Sequence, residues 1–189
     1  MRSAMADVAL LPRTLMTRRE YYALGEPPPG LWFELLDGEL IVMNAPGALH
    51  QLVVRNLLVA LQTWCHAGSD RGAMWLPLDA DIADDTVLIP DLQWFAADGR
   101  LPLDGTAPHP VGDLVIEVAS PSTRRYDREI KARRYLAAGA REVWLVDPRP
   151  LRVEVLTATR RRGLTAGEEI ASPLLPGLAL PVASLLDGS

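Results

Sequence analysis

Three scarcities narrow the possibilities before any motif is sought. The chain has 189 residues and one cysteine, Cys65. A single thiol excludes both an internal disulfide framework and a cysteine-built zinc site. Apolar runs such as Leu57–Leu61 and Leu114–Ile116 are far shorter than the about 20 residues needed to span a bilayer. The first residues, interrupted by Asp7, lack the apolar stretch of a secretory signal. The expected setting is therefore cytoplasmic, with no membrane partner. Basic charge is also short: the formal net charge is −5, so any nucleic-acid affinity has to come from a local patch or a bound cation rather than from a basic surface.

The fourth scarcity is the most specific. Lysine and arginine together number 19, and one of them, Lys131, is a lysine. In a chain this rich in alanine, proline and arginine, surface lysines drift easily to arginine. A position that keeps its lysine is either chance or a place where a planar, always-charged guanidinium cannot replace a compact ammonium.

What remains is an ordinary globular balance, 49% hydrophobic and 23% charged. The length suits one domain: an N-terminal arm over 1–16, then a single body over 17–189 that includes a C-terminal tail wrapping it. Repeats and low-complexity tracts are absent from the sequence. Thr17 and Glu20 form a capping-box pattern that starts a short helix through about Leu24. Asp37-Gly38 between two apolar runs signals a hairpin, whose first arm places Trp32, Glu34 and Leu36 on one face. Apolar residues at helical spacing predict a helix from Ala48 to about His66, with His50 in its first turn. Residues 73–82 and 86–95 read as two strands joined at Asp84-Asp85, with Pro90 marking an edge, a bulge or the end of the ladder. A long loop covers 98–112. Then strand 114–120, a helix capped by Ser122 or Thr123 and ending at Gly139, and strand 141–148 compose a parallel crossover unit. The apolar face of that helix reads as Ile130, Leu136, Ala137 and Ala138. One further strand, 151–160, is expected to run antiparallel.

The acidic residues of interest fall inside apolar strands. Glu117 alternates with Val115 and Ala119 on one face of its strand, a poor place for an unpaired carboxylate. It requires a cation, a hydrogen-bond donor or a metal; an arginine would serve as well. Asp91 follows Ile89-Pro90 and could equally be a strand-end residue. Lys131 lies one helix beyond Glu117, where a surface pair with Asp127 is the simplest account. Glu34 and His50 taken singly are ordinary. Together, two or three carboxylates on neighbouring strands can hold a hard divalent cation, and a nearby lysine can position water and steady charge on phosphate.

At these residues the chain resembles a known family. IPDLQWF, LVIEVASPSTRRYDREIKARRYLAAGAREVWLVDP, FELLDGELIVMNAPGALH and LLPGLAL are similar to the Uma-type endonuclease family of the PD-(D/E)XK, restriction-endonuclease-like superfamily, over roughly residues 15–186. The resemblance implies an α/β fold with a central mixed sheet flanked by helices. It matches Asp91 to the first acid of the motif and Glu117 to the second. Position 119, where the motif's lysine usually stands, is Ala; Lys131 on the next helix takes its place. The resemblance makes Glu34 an additional acid and His50 a family-typical histidine. Asp91, Glu117 and Glu34 are the implied metal ligands, for Mg²⁺ with Mn²⁺ as a substitute. The implied activity is hydrolysis of DNA phosphodiester bonds, in a homo-oligomer, since cutting two strands needs two sites. Phosphate contacts from Arg124, Arg125, Arg128 and Arg160–Arg162 are expected. Two alternatives stay open: a nucleic-acid-binding or assembly module with little or no activity, and a metal-dependent phosphodiesterase acting on small substrates.

Overall fold

A computed structural model describes residues 15–98, 101, 109–119 and 125–188, without the side chains of 125–128. The capping box is present. The Thr17 hydroxyl accepts from the Glu20 amide and the Glu20 carboxylate accepts from the Thr17 amide, which starts α1 (Arg18–Ala23). Strands β1 (Leu31–Leu36) and β2 (Glu39–Asn44) form the expected hairpin. Asp37 and Gly38 at its tip both take positive φ, 51° and 78°, the geometry for which Asp-Gly is selected.

The two strands expected at 73–82 and 86–95 are each broken. The described segments are β3 (Ala73–Trp75), β4 (Ala80–Ala83), β5 (Thr86–Leu88) and β6 (Leu92–Phe95). Pro77 and Pro90 lie in the gaps. Each removes a backbone donor, so a ladder cannot run through it, and the chain changes sheet there. Strands β4 and β5 extend the hairpin into a four-stranded sheet ordered β2-β1-β5-β4, whereas β3 and β6 join the main sheet.

That main sheet is built on β7 (Leu114–Val118), α3 (Arg125–Ala137) and β8 (Glu142–Pro148). β7 and β8 are parallel, as the intervening helix permits. Its C-terminal end falls at Gly139, at φ 113°. Its expected N-cap, Ser122 or Thr123, lies outside the described residues. β9 (Leu151–Leu156) returns antiparallel as expected, and β10 (Arg161–Thr165), not foreseen as a separate strand, pairs with it. The six strands are ordered β10-β9-β8-β7-β6-β3, a mixed sheet.

Two apolar layers fix the faces of this sheet. On one, α2 (Ala48–His66) lays Val53, Leu57, Leu61 and Trp64 over Leu114, Ile116 and Trp144. The tail completes this layer. β11 (Glu169–Ile170), β12 (Leu180–Pro181) and a 3₁₀ helix (Val182–Leu186) bury Ile170, Val182 and Leu185 in it. On the other face, Val115, Val143 and Leu145 meet Ala132 and Tyr135 of α3, and Leu88 of the smaller sheet. Each fully buried aliphatic side chain contributes about 1.5–3 kcal/mol.

The inward face of α3 differs from expectation. Ala137 and Ala138 are exposed, while Lys131, Ala132 and Tyr135 are buried. The helix is turned by its polar groups, because carboxylates on both sheets meet Lys131 and Tyr135. Arg134 adds an ion pair to Asp37 at the hairpin tip, 2.5 Å away.

Candidate functional site

The register of β6 and β7 brings the two motif acids together. Leu92 pairs with Ile116, so the pairing continued by one residue sets Asp91 opposite Glu117. Side chains opposite one another on neighbouring strands share a face. Pro90 ends the backbone ladder at this point, and the Asp91 carboxylate stands in for it, its Oδ2 accepting from the Val118 amide at 2.7 Å. Asp91 is thus held beside Glu117 by the strand it terminates. The site lies at the carboxyl end of the parallel pair β7–β8, where α/β sheets commonly place ligands.

Four further side chains converge from three different elements. From the first turn of α2, His50 reaches Asp91 Oδ1 through Nε2 at 3.1 Å; His50 is buried, and its Nδ1 has no partner among the described residues. From β1, Glu34 is fully buried, with Oε1 accepting from the Ile89 amide at 2.9 Å and Oε2 lying 2.5 Å from Lys131 Nζ. The Lys131 contact is close, but it is not aligned as a hydrogen bond at Oε2, so it is chiefly charge on charge. From α3, Tyr135 donates its hydroxyl to Glu117 Oε1 at 2.7 Å. Lys131 and Tyr135 sit one helical turn apart and so address Glu34 and Glu117 side by side.

All five sequence-predicted residues, Glu34, His50, Asp91, Glu117 and Lys131, line one cavity of about 590 Å³. Its remaining wall is mostly apolar, from β1, β2 and the Asn44–Gly47 loop. Tyr135 is the residue sequence reasoning missed. Its signal was its place one turn beyond the lone lysine. Lys131 is buried rather than on the surface and meets Glu34; its expected partner, the Asp127 side chain, lies outside the described residues.

Electrostatics make the site unusual. Three carboxylates face one lysine. Burial, reinforced by the charges of Asp91 and Glu34 and opposed by Lys131 and Tyr135, raises Glu117 to about 7. Burial works against a charged Lys131, yet Glu117, Glu34 and Asp91 outweigh it and hold the ammonium above the usual lysine range. Burial and the same carboxylates keep the Tyr135 hydroxyl protonated well above its ordinary range. Among the described residues the site therefore carries more negative charge than Lys131 balances.

No group of three or more His, Cys, Asp or Glu side chains gathers as a metal cage among the described residues. Paired carboxylates with open space beside them suit Mg²⁺, which keeps several waters and takes one or two protein carboxylates. Asp91 and Glu117 present that donor set.

The arginines expected on phosphate are placed only in part. Arg124 and the side chains of Arg125 and Arg128 lie outside the described residues. Arg161 is bound to Glu154 and Glu129, and Arg162 lies 3.9 Å from Glu168, so these two are engaged in ion pairs within the fold. No helix among the described residues is long and apolar enough to cross a membrane.

The chain can be set beside known proteins. No curated protein matches it. The crystal structure of a putative nuclease belonging to DUF820 from Anabaena variabilis superposes with a TM-score of 0.77, covering 90% of this chain and 97% of that one at 19% identity. At such identity the likeness is one of fold, and it agrees with the mixed sheet flanked by helices. A family model described as Uma2, "Putative restriction endonuclease", matches residues 18–183, nearly the whole of the described body that carries Glu34, Asp91, Glu117 and Lys131, and the chain belongs to that family.

Proposed function

We propose that the chain hydrolyses phosphodiester bonds of DNA with a Mg²⁺ ion held by Asp91 and Glu117. The observation that carries this reading is the buried charge imbalance: Glu34, Asp91 and Glu117 converge on a single lysine in a cavity of about 590 Å³. A divalent cation between two of the acids removes that imbalance and turns a destabilising cluster into a binding site.

Each protein group then has a task. Asp91 is oriented by the Val118 amide and by His50. Glu117 is oriented by Tyr135. Glu34, turned toward Lys131, keeps the ammonium charged and fixes its direction. Lys131 Nζ steadies negative charge developing on the phosphoryl oxygens and orients the attacking water. A divalent ion held by Asp91 and Glu117 would supply Lewis acidity and positive charge toward the phosphate. Mn²⁺ should substitute for it. Cleavage of both strands is assigned to a homo-oligomer carrying two such sites, in the cytoplasm.

Incubation of supercoiled plasmid with Mg²⁺ or Mn²⁺ tests the proposal. Nicked or linear product is expected from the wild type and not from Glu117→Gln or Lys131→Ala of retained fold. Equal cleavage by both variants would remove this site from the reaction.

A further inference from the structure

A second cleft adjoins the first. It has a volume of about 630 Å³, and Trp32, Pro77 and Ile89 line both spaces. These three residues form a common wall between the two spaces, and the Ile89 amide in that wall holds Glu34. The second cleft is walled by aromatic and proline side chains, chiefly Tyr21, Tyr22, Trp32, Phe33 and Pro27. Tyr21 and Tyr22 meet edge to face at 5.3 Å. Its volume falls within the about 300–1,000 Å³ of small-molecule sites.

Charge determines what can enter. Among its lining residues Glu26 and Asp79 are charged and both are acidic, so a phosphate is repelled. A flat, neutral group bearing hydrogen-bond donors is favoured. Asp79 is held at the rim by Tyr22, whose hydroxyl lies 2.5 Å from Oδ2, and by His109, whose Nδ1 lies 2.9 Å from Oδ1. Each carboxylate oxygen retains a further lone pair for an incoming amine. In the first cavity the converse holds: there a lysine and the proposed cation accept a phosphate.

We infer that the aromatic cleft receives an unpaired nucleobase of the substrate strand while the neighbouring phosphate occupies the Asp91–Glu117–Lys131 cavity. This rests on the nuclease reading above and adds a substrate class to it: strands with an unstacked base, carrying an exocyclic amine for Asp79, beside the scissile bond. Such a base stacks on aromatic faces and is least costly to extrude where it is already unpaired.

Fluorescence anisotropy tests this with a labelled duplex, the same duplex with one bulged cytosine, and one with a bulged thymine, using the full chain with Ca²⁺ in place of Mg²⁺. The bulged cytosine should be bound on the order of tenfold more tightly than the paired duplex, and the thymine less so. Trp32→Ala should abolish the preference for a bulge. Asp79→Asn, which preserves shape, should remove discrimination of cytosine from thymine, and it decides the matter if Trp32→Ala fails to fold. Paired and bulged duplexes bound equally, or a preference unaltered by Asp79→Asn, would overturn this inference while the nuclease reading stands. Absence of DNA binding together with absence of Mn²⁺ binding at Asp91 and Glu117 would overturn both.

Discussion

Replacing Glu117 by glutamine should make the metal-free protein more stable while abolishing its proposed chemistry. The side chain keeps its shape and can still accept from Tyr135, but it loses a charge that its surroundings oppose. The Glu117 carboxyl is raised from 4.5 to about 7, mainly by burial and then by Asp91 and Glu34. Because the folded state holds this proton more tightly than the unfolded chain, its contribution to stability is complete below about pH 4.5 and is lost as pH rises through about 7. At pH 8 the loss amounts to about 3 kcal/mol, at 1.36 kcal/mol for each pKa unit. Glutamine does not titrate, so the variant should exceed the wild type by up to about 3 kcal/mol at pH 8, by progressively less toward pH 5, and by little below that. For a chain of this size the gain corresponds to roughly 6–12 °C in Tm. Calorimetric melting in EDTA across pH 5–8 reads it directly. Mn²⁺ at about 100 times its Kd should restore about 2.7 kcal/mol to the wild type and nothing to the variant. A variant no more stable than the wild type at pH 8 without metal would refute the claim that the site holds uncompensated negative charge.

Other outcomes follow from the same geometry. Lys131→Met should cost about 3–5 kcal/mol in urea denaturation, because it strands the fully buried charge of Glu34. Tyr135→Phe, which leaves Glu117 Oε1 without its donor, should cost about 1–3 kcal/mol by the same assay. Mn²⁺ affinity, measured by titration calorimetry, should weaken about tenfold per pH unit below about 7, since the ion must displace the Glu117 proton. Gly72→Ala should destabilise the β3–β6 pairing severely, as judged by loss of cooperative melting: Gly72 sits at φ +70° and a Cβ there would collide with the Phe95 carbonyl.

Much of the scaffold is legible in the sequence where local signals agree. α2 matches its predicted bounds because the apolar period, the Gly47 start and the turn after His66 all point the same way. The hairpin is legible because Asp37-Gly38 takes the left-handed conformations its turn needs. Residues 73–95 mislead because strand propensity is local and sheet membership is not. Four short segments read as two, and the prolines that divide them also send them to different sheets. α3 misleads for another reason. Hydropathy turned Ala137 and Ala138 inward, whereas the inward face is chosen by Lys131 and Tyr135 meeting Glu34 and Glu117.

The site shows the same division. Glu117 is conspicuous as a charge within an apolar strand, and the lone lysine is conspicuous by composition. The pairing of Lys131 with Glu34 is not legible, because it joins a helix to a strand far earlier in the chain, and proximity in sequence favoured Asp127. Asp91 owes its position to a hydrogen bond from the Val118 amide and to a register that only the paired strands reveal. His50 gains a role from the fold alone, as the group that meets the second oxygen of Asp91.

The most direct test of the central claim is anomalous scattering from a crystal soaked in Mn²⁺. The account predicts one strong peak within coordination distance of both the Asp91 and Glu117 carboxylates in the wild type, and none in Glu117→Gln. A site without a peak, or a peak that survives Glu117→Gln unchanged, would contradict it.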